Sequence, residues 1–104
     1  MSGGRYNPAE HPHPGEALLA ELEEIGFSQR GFARYIDVPP EDIEALCSKS
    51  SPMTALLALK VSRALGGSPR RWLELQMNFD LLRIDPSNYD AIRPLGEGEG
   101  DAEE

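Results

Sequence analysis

Short segments of helical periodicity, each bounded by residues that start and stop helices, constrain the fold of this chain most. Apolar residues recur at helical spacing over residues 15–25, and Gly26 follows where a left-handed cap belongs. Ser28 is a favourable N-cap for a second helix that ends at Asp37, and Pro40 suits the first position of a third. We therefore expect three short helices in the first half of the chain.

The same signals mark two more helices in the second half. Thr54 is a favourable N-cap for the fourth, which closes at Gly66 and Gly67. The fifth covers residues 68–83, is the most aromatic, and is stopped by Pro86. Five helices, with two or three residues between the second and third, predict an all-α, five-helix, lambda-repressor-like helix-turn-helix domain with flexible termini.

The apolar positions of the predicted helices give the expected core. The first four helices should contribute the residues that share the inward-facing stripe of each helix: Leu18, Leu19, Leu22, Ile25, Phe32, Ala33, Ile36, Ile43, Leu46, Cys47, Ala58, Leu59, Val61, Ala64 and Leu65.

Acidic residues concentrate at the C-terminal end. The 104 residues carry a formal net charge of −8, of which −6 falls on residues 85–104. We expect a flexible N-terminal arm over residues 1–12, a helix-turn-helix domain over 13–84, and a largely disordered acidic tail over 85–104. The tail from Gly96 onwards is expected to steer a basic partner rather than to take part in folding.

Several classes of protein are excluded by composition and spacing. No apolar run is long enough to span a membrane, and a cytoplasmic location is expected. Cys47 cannot form an internal disulfide, and two histidines, His11 and His13, are too few for a structural zinc site. No nucleophile, phosphate loop or metal constellation indicates an enzyme, so no cofactor, metal or small-molecule substrate is expected.

Several short motifs together resemble the HigA-type antitoxins. These motifs run without a gap from residue 13 to about residue 82: His13-Pro14-Gly15-Glu16, Ser28-Gln29-Arg30-Gly31-Phe32-Ala33, Val38-Pro39-Pro40 with Ile43, Met53-Thr54-Ala55, and Trp72-Leu73-Glu74-Leu75-Gln76 with Phe79-Asp80-Leu81. The resemblance implies a dimeric protein that binds a basic RelE-like ribonuclease toxin and represses its own operon.

The predicted recognition helix departs from that family where DNA would be read. Its first turns carry the carboxylates of Glu41, Asp42 and Glu44 where DNA-contacting relatives hold basic or polar side chains. The candidates for DNA contact therefore lie outside it, and they are Gln29, Arg30, Arg34 and Lys49. Acids in a first helical turn also stabilise the helix dipole, which accounts for Glu41 and Asp42 without any function.

The fifth helix carries more apolar residues than one side of a surface helix can bury. We expect a homodimer through it, carried by Trp72, Leu75, Phe79 and Leu82 together with Leu73 and Met77. The two aromatic residues, Trp72 and Phe79, are divided between core and dimer contact. Leu56 and Leu57 make the fourth helix apolar on more than one face. They indicate either a slightly larger core or a patch for a partner.

Two functional hypotheses follow. The first is an antitoxin that neutralises a toxin while its acidic recognition helix weakens DNA binding. The second is a dimeric transcriptional repressor that still binds DNA through the four candidates, with its acids tuning the affinity.

Overall fold

The computed structural model describes residue 7 and residues 9–96 of the chain, and its regular elements are all helical. The five α-helices are α1 (Pro14–Ile25), α2 (Gln29–Tyr35), α3 (Pro40–Cys47), α4 (Ala55–Leu65) and α5 (Pro69–Arg83), and a 3-10 helix follows at Pro86–Asn88. The predicted all-α, five-helix architecture is confirmed. None of the described helices is long and apolar enough to cross a membrane.

Side-chain caps start four of the five α-helices. Ser28, Thr54 and Ser68 each accept a hydrogen bond from a backbone N–H in the first turn of α2, α4 and α5. For α1 the cap is His13, whose Nδ1 accepts from the N–H of Gly15 at 2.9 Å. Each cap satisfies one of the amide groups that a helix leaves without an internal partner, so the helix boundaries follow local chemistry.

The core lies where α1, α2, α3 and α5 meet, with α4 packed along α5. Trp72 and Phe32 are the largest of its fully buried side chains. Two of the expected core residues are wrong, because Ile25 is 56% exposed and Leu59 is 55% exposed. Ile25 is the last residue of α1, and Leu59 is turned about 100° from the buried Ala58 and lines a groove beside α5.

A close backbone contact joins the start of α1 to the end of α3. A Cβ atom added to Gly15 would lie 1.7 Å from the carbonyl oxygen of Leu46 and 3.0 Å from the Cα of Cys47. Only glycine leaves room for this approach, which places Cys47 in the core under α1.

The chain after α5 has local structure that its acidic composition did not indicate. Asp85 caps the 3-10 helix by accepting from the N–H of Ser87 at 3.0 Å, and further turns follow as far as Ile92. The expected disorder therefore does not extend to residues 86–92, because proline and the Asp85 cap form a turn without apolar burial. Residues 97–104, which make up the rest of the acidic tail, lie outside the described residues, as do residues 1–6 and 8 of the expected N-terminal arm.

Candidate nucleic-acid and partner surfaces

Helices α2 and α3 form a helix-turn-helix. The turn between them requires a left-handed residue, and Asp37 adopts it with φ of 63°. The N–H of Val38 then donates to the carbonyl oxygen of Ala33 at 2.9 Å, which closes the end of α2. Because Phe32 and Ile43 are buried between the helices, the opposite side of α3 faces solvent, as in a recognition helix.

The exposed side of α3 is acidic. Glu41 and Asp42 are exposed in the first turn, and Glu44 is half-buried one turn further on. Pro39 precedes the helix and makes no side-chain cap, so the two first-turn carboxylates are the groups that complement the positive end of the helix dipole. The N-terminus of a helix is a general binding position for anions such as phosphate, and here the protein's own carboxylates lie beside it.

Two of the four candidate DNA-contact residues form ion pairs within the domain. Arg30 donates from Nη1 to Oε2 of Glu44 at 2.7 Å, and Lys49 donates from Nζ to Oε2 of Glu16 at 2.8 Å. Both pairs are largely exposed, so each contributes only about 0 to 1 kcal/mol and can exchange with another anion. The cations are near the expected surface but are already matched with carboxylates.

The other two candidates differ in exposure. Arg34 is exposed on α2, and its side chain forms no hydrogen bond or ion pair with another described residue, whereas Gln29 is half-buried. A further cation, Lys60 of α4, donates to the carbonyl oxygen of Asp37 at 2.9 Å and so lies beside the turn of the helix-turn-helix. Sequence reasoning missed Lys60 because its partner is 23 residues away, beyond any local spacing rule.

Helix α5 has apolar residues on two opposite faces. Trp72 is 1% exposed and belongs to the core, which is one of the two positions expected for it. Leu75, Phe79 and Leu82 lie on the same inward side and are half-buried. The sequence predicts an interface on this helix from its excess of apolar residues, but periodicity does not show which of its two apolar sides faces the core.

The opposite side of α5 carries a separate apolar stripe, which we call the outer α5 face. It consists of Leu73, Met77 and Leu81, which are 36%, 49% and 58% exposed. Their spacing of four residues places them on one line along the helix. Leu73 and Met77 are among the residues from which the sequence predicts a dimer, whereas Leu81 is not.

The structure separates Leu56 from Leu57. Leu57 packs against the core, whereas Leu56 is 63% exposed at a cleft between α3 and α4 that Val38, Pro52 and Lys60 also line. The larger core accounts for Leu57. Leu56 stays a candidate partner contact, beside the acidic side of α3.

His13 and Cys47 are both buried, and each has a structural role in the core. His13 is buried and packs edge-on against the ring of Phe79, with ring centres 4.7 Å apart. Burial lowers the pKa of His13 from its ordinary 6.5, which favours the neutral form that accepts the hydrogen bond from Gly15. Burial also raises the pKa of the Cys47 thiol, which makes it a poor nucleophile.

Comparison with known proteins gives relatives that cover most of the chain. It is 36% identical over 77 residues to YddM, an uncharacterised helix-turn-helix transcriptional regulator of Escherichia coli K12, spanning 74% of this chain and 82% of YddM. An addiction module antidote of the HigA family from Coxiella burnetii has a similar structure, with a TM-score of 0.66 and 31% identity, covering 67% of this chain and 77% of that one. The chain belongs to the HigA family of helix-turn-helix antitoxins. Comparison with protein-family models finds no match.

A third similar protein was solved with DNA. PA4674 of Pseudomonas aeruginosa, in complex with its operator, matches with a TM-score of 0.73 and 26% identity, covering 80% of this chain and 95% of that one. These relatives are regulators and antitoxins, and this HigA-family chain is accordingly not an enzyme.

The HigA-like motif at residues 13–16 has a physical role at each position. His13 caps α1, Pro14 occupies its first position, and Gly15 allows α1 to approach α3. Glu16 holds Lys49, whose backbone has φ of 69° at the end of the turn that follows α3. The motif therefore fixes the position of the helix-turn-helix relative to α1.

Proposed function

We propose that this chain is an antitoxin that binds and neutralises a basic RelE-like ribonuclease toxin, and that its own helix-turn-helix binds operator DNA only weakly. Membership of the HigA family supports the antitoxin role. The acidic outer side of α3, with Arg30 held by Glu44, is the observation that carries the weak DNA binding. The toxin would be coded by an adjacent gene and would meet an acidic surface.

The charge on α3 is large enough to affect specific DNA binding. A carboxylate about 5 Å from one phosphate costs about 0.8 kcal/mol in water-like screening. Three such groups, Glu41, Asp42 and Glu44, on each copy of a dimer therefore cost a few kcal/mol in total. Specific binding exceeds non-specific binding by only about 4 to 10 kcal/mol, so this cost removes much of the margin.

A loss of attraction between the basic side chains and the DNA phosphates adds to the repulsion by the carboxylates. Each cation that neutralises a phosphate strengthens binding through counterion release, and Arg30 and Lys49 must first leave their partners. Breaking an exposed ion pair costs at most about 1 kcal/mol, so the pairing reduces the DNA contact without abolishing it. The carboxylates themselves remain near the DNA, and this is the larger effect.

A gel-shift titration on the chain's own promoter at about 0.15 M salt tests the weak binding. We expect no tight sequence-specific complex with the protein alone. Glu44→Gln should raise DNA affinity because it removes one negative charge and releases Arg30, and Asp42→Arg with Glu44→Ser should raise it further. Glu24→Gln is the matched control, since it makes the same charge change at an exposed position on α1.

Tight, specific binding by the unmodified protein would refute the proposed weakness. Equal effects of Glu44→Gln and Glu24→Gln would show that only net charge matters and that α3 does not approach DNA.

A dimeric transcriptional repressor is the second candidate. PA4674, which has the same fold, was solved with its operator, and Arg34 of this chain is exposed and unpaired within the described residues. A carboxylate can also accept a hydrogen bond from the amino group of cytosine, so an acidic recognition helix retains one way to read sequence. Arg34→Gln should then weaken specific binding, which separates this candidate from the first.

Co-expression with the product of the adjacent gene tests the toxin. If that gene codes for a basic ribonuclease, the pair should co-purify, and the growth arrest caused by the ribonuclease alone should disappear. The salt dependence of the complex reports the contribution of charge complementarity. Failure of the two proteins to associate at low salt would contradict the proposal.

The dimer is proposed to form through the outer α5 face. Leu73, Met77 and Leu81 are apolar, aligned and directed away from the core, so a second copy can cover them around a two-fold axis near Met77. Met77→Glu should give a monomer that keeps its helical circular dichroism. Ile25→Glu is the control, since Ile25 is equally apolar and exposed but lies on α1.

Sedimentation at micromolar concentration measures the outcome for both variants. A monomeric unmodified protein, or a dimer unaffected by Met77→Glu, would contradict the proposed face. Phe79→Asp is expected to reduce folding as well, because Phe79 packs on the inward side against His13.

A further inference from the structure

The chain that follows α5 carries exposed apolar side chains. In the C-terminal segment, which we define as residues 84–95, Ile84 is 47% exposed, Ile92 is 77% exposed and Leu95 is 88% exposed. The backbone hydrogen bonds of this segment in the described structure are local, joining residues two to four positions apart. Its 3-10 helix contacts none of the five α-helices. The backbone of the segment is therefore shaped by its own turns, while Ile92 and Leu95 remain exposed.

A groove between α4 and α5 is also uncovered. This α4–α5 groove is lined by Ala55 and Leu59 of α4 and by Pro69, Leu73 and Met77 of α5, with Arg70 and Glu74 beside them. The groove is continuous with the outer α5 face, because Leu73 and Met77 belong to both.

The C-terminal segment of the same copy leaves at the wrong end of α5 to fill this groove. The groove lies along the first half of α5, and the segment begins after Arg83, about 15 Å along the helix axis from Leu73. In the structure the segment does not lie in the groove of its own copy, because none of its residues lines the groove and Ile92 and Leu95 are exposed.

A second copy presents the segment at the correct end. In an antiparallel pairing of two α5 helices centred on Met77, the end of one helix lies beside the start of the other. Position 84 of one copy then comes opposite position 70 of the second. The guanidinium of Arg70 forms no ion pair with other described residues of its own chain, and Asp85 of a second copy would supply the opposite charge.

The outer face of α5 is too small to form a stable dimer interface by itself. A helix of 15 residues is about 22 Å long and 10 Å wide, so one face presents roughly 220 Å². A stable interface buries about 800 Å² on each partner. The outer α5 face therefore needs additional surface, and the α4–α5 groove and the C-terminal segment are apolar surfaces that adjoin it.

We propose that the C-terminal segment of each copy crosses the dimer and lies in the α4–α5 groove of the second copy, with Ile92 and Leu95 against Leu59 and Leu73. This arm exchange rests on the proposed dimer through the outer α5 face. Each copy then donates its own C-terminal segment and receives that of the second copy, so the two segment-to-groove contacts are equivalent, as a closed two-fold interface requires.

Cross-linking between two differently tagged full-length copies tests the exchange. One copy carries Leu59→Cys and the other carries Ile92→Cys, and a short bismaleimide joins thiols that lie close together. The native thiol of Cys47 is buried and remains in all copies. The matched control replaces Leu59→Cys by Ile25→Cys, because the two positions are 55% and 56% exposed but only Leu59 lines the groove.

We expect the Leu59→Cys and Ile92→Cys copies to form a mixed cross-linked dimer at least about ten times faster than the control pair. Equal rates for the two pairs would overturn the exchange. A copy carrying both substitutions that cross-links within itself would also overturn it, because the segment would then lie on its own domain.

Dimer affinity gives an independent measurement. Ile92→Ser with Leu95→Ser should raise the dimer dissociation constant at least about tenfold, since two large apolar side chains lose their burial. Ile25→Ser should leave it unchanged. A stable dimer whose affinity does not respond would overturn the exchange while leaving the proposed dimer intact. A monomeric unmodified protein would show that the dimer itself is absent, and the exchange with it.

Discussion

Gly15→Ala should destabilise the domain strongly, although alanine is the better helix former. In an unconstrained helix this change stabilises by about 0.5 to 1 kcal/mol, because glycine loses more backbone entropy on folding. Here the added Cβ would lie 1.7 Å from the carbonyl oxygen of Leu46, where about 3.0 Å is the closest tolerable approach. The start of α1 must therefore move about 1.3 Å from α3.

The cost of that movement follows from the contacts at the α1–α3 boundary. A gap of 0.5 to 1 Å already removes about a quarter to a half of the dispersion energy between facing atoms, and overpacked cores typically lose about 1 to 3 kcal/mol. Strain on the cap from His13 to Gly15 adds about 1 kcal/mol. We expect a loss of about 3 kcal/mol, which lowers the melting temperature by roughly 12 to 24 °C in a domain of this size.

Urea unfolding followed by far-UV circular dichroism measures the change in the free energy of unfolding. Gly26→Ala is a control for backbone strain alone, since Gly26 has φ of 77° and nothing within 4 Å of its added Cβ. It should cost about 1 to 2 kcal/mol. Gly96→Ala, in open space, should cost nothing. If Gly15→Ala were no more destabilising than Gly26→Ala, the close approach of α1 to α3 would be refuted.

Three further predictions use the same unfolding measurement or a thiol assay. Because burial lowers the pKa of His13 below 6.5, the unfolded state binds the proton more readily. Stability should be full above about pH 6.5 and fall as the pH decreases below it, by up to about 1.4 kcal/mol per pH unit until the folded-state pKa is reached. His13→Asn, which keeps a capping acceptor, should reduce this slope. Cys47 should react with a thiol reagent only as fast as the domain opens, and rapid reaction of the folded protein would contradict its burial. Asp37→Val should cost about 1 to 2 kcal/mol at φ of 63°, and Asp37→Gly should cost nothing, so equal effects would argue against backbone strain there.

Helix boundaries could be predicted from the sequence because they depend on neighbouring residues. Ser28, Thr54 and Ser68 cap the helices that their positions predicted, and Gly26 ends α1 in the left-handed conformation. The two errors in the core have a different origin. Periodicity shows on which face of its helix Ile25 or Leu59 lies. It does not show whether another helix packs against that face and buries it.

The candidate site was less predictable because its decisive contacts join distant parts of the chain. The acidic character of α3 was visible in the sequence. The pairing of Arg30 with Glu44, 14 residues away, and of Lys49 with Glu16, 33 residues away, requires the packing of α2 and α1 against α3. Similarly, the two faces of α5 are separable only once the inward direction is known from Trp72.

The acidic residues of α3 are separable from the rest of the fold, which bears on how an antitoxin scaffold can lose DNA affinity. Glu41 and Asp42 are exposed, and α3 contacts the core through the opposite residues Ile43, Leu46 and Cys47. Changing the exposed side therefore alters charge with little effect on packing, since surface substitutions usually stay within about 0.5 kcal/mol. The outer α5 face lies on a different helix and does not include α3. The charge on the exposed side of α3 can therefore be changed while the fold and the outer α5 face are retained, so substitutions there test the proposed weak operator binding separately from folding and from dimer formation.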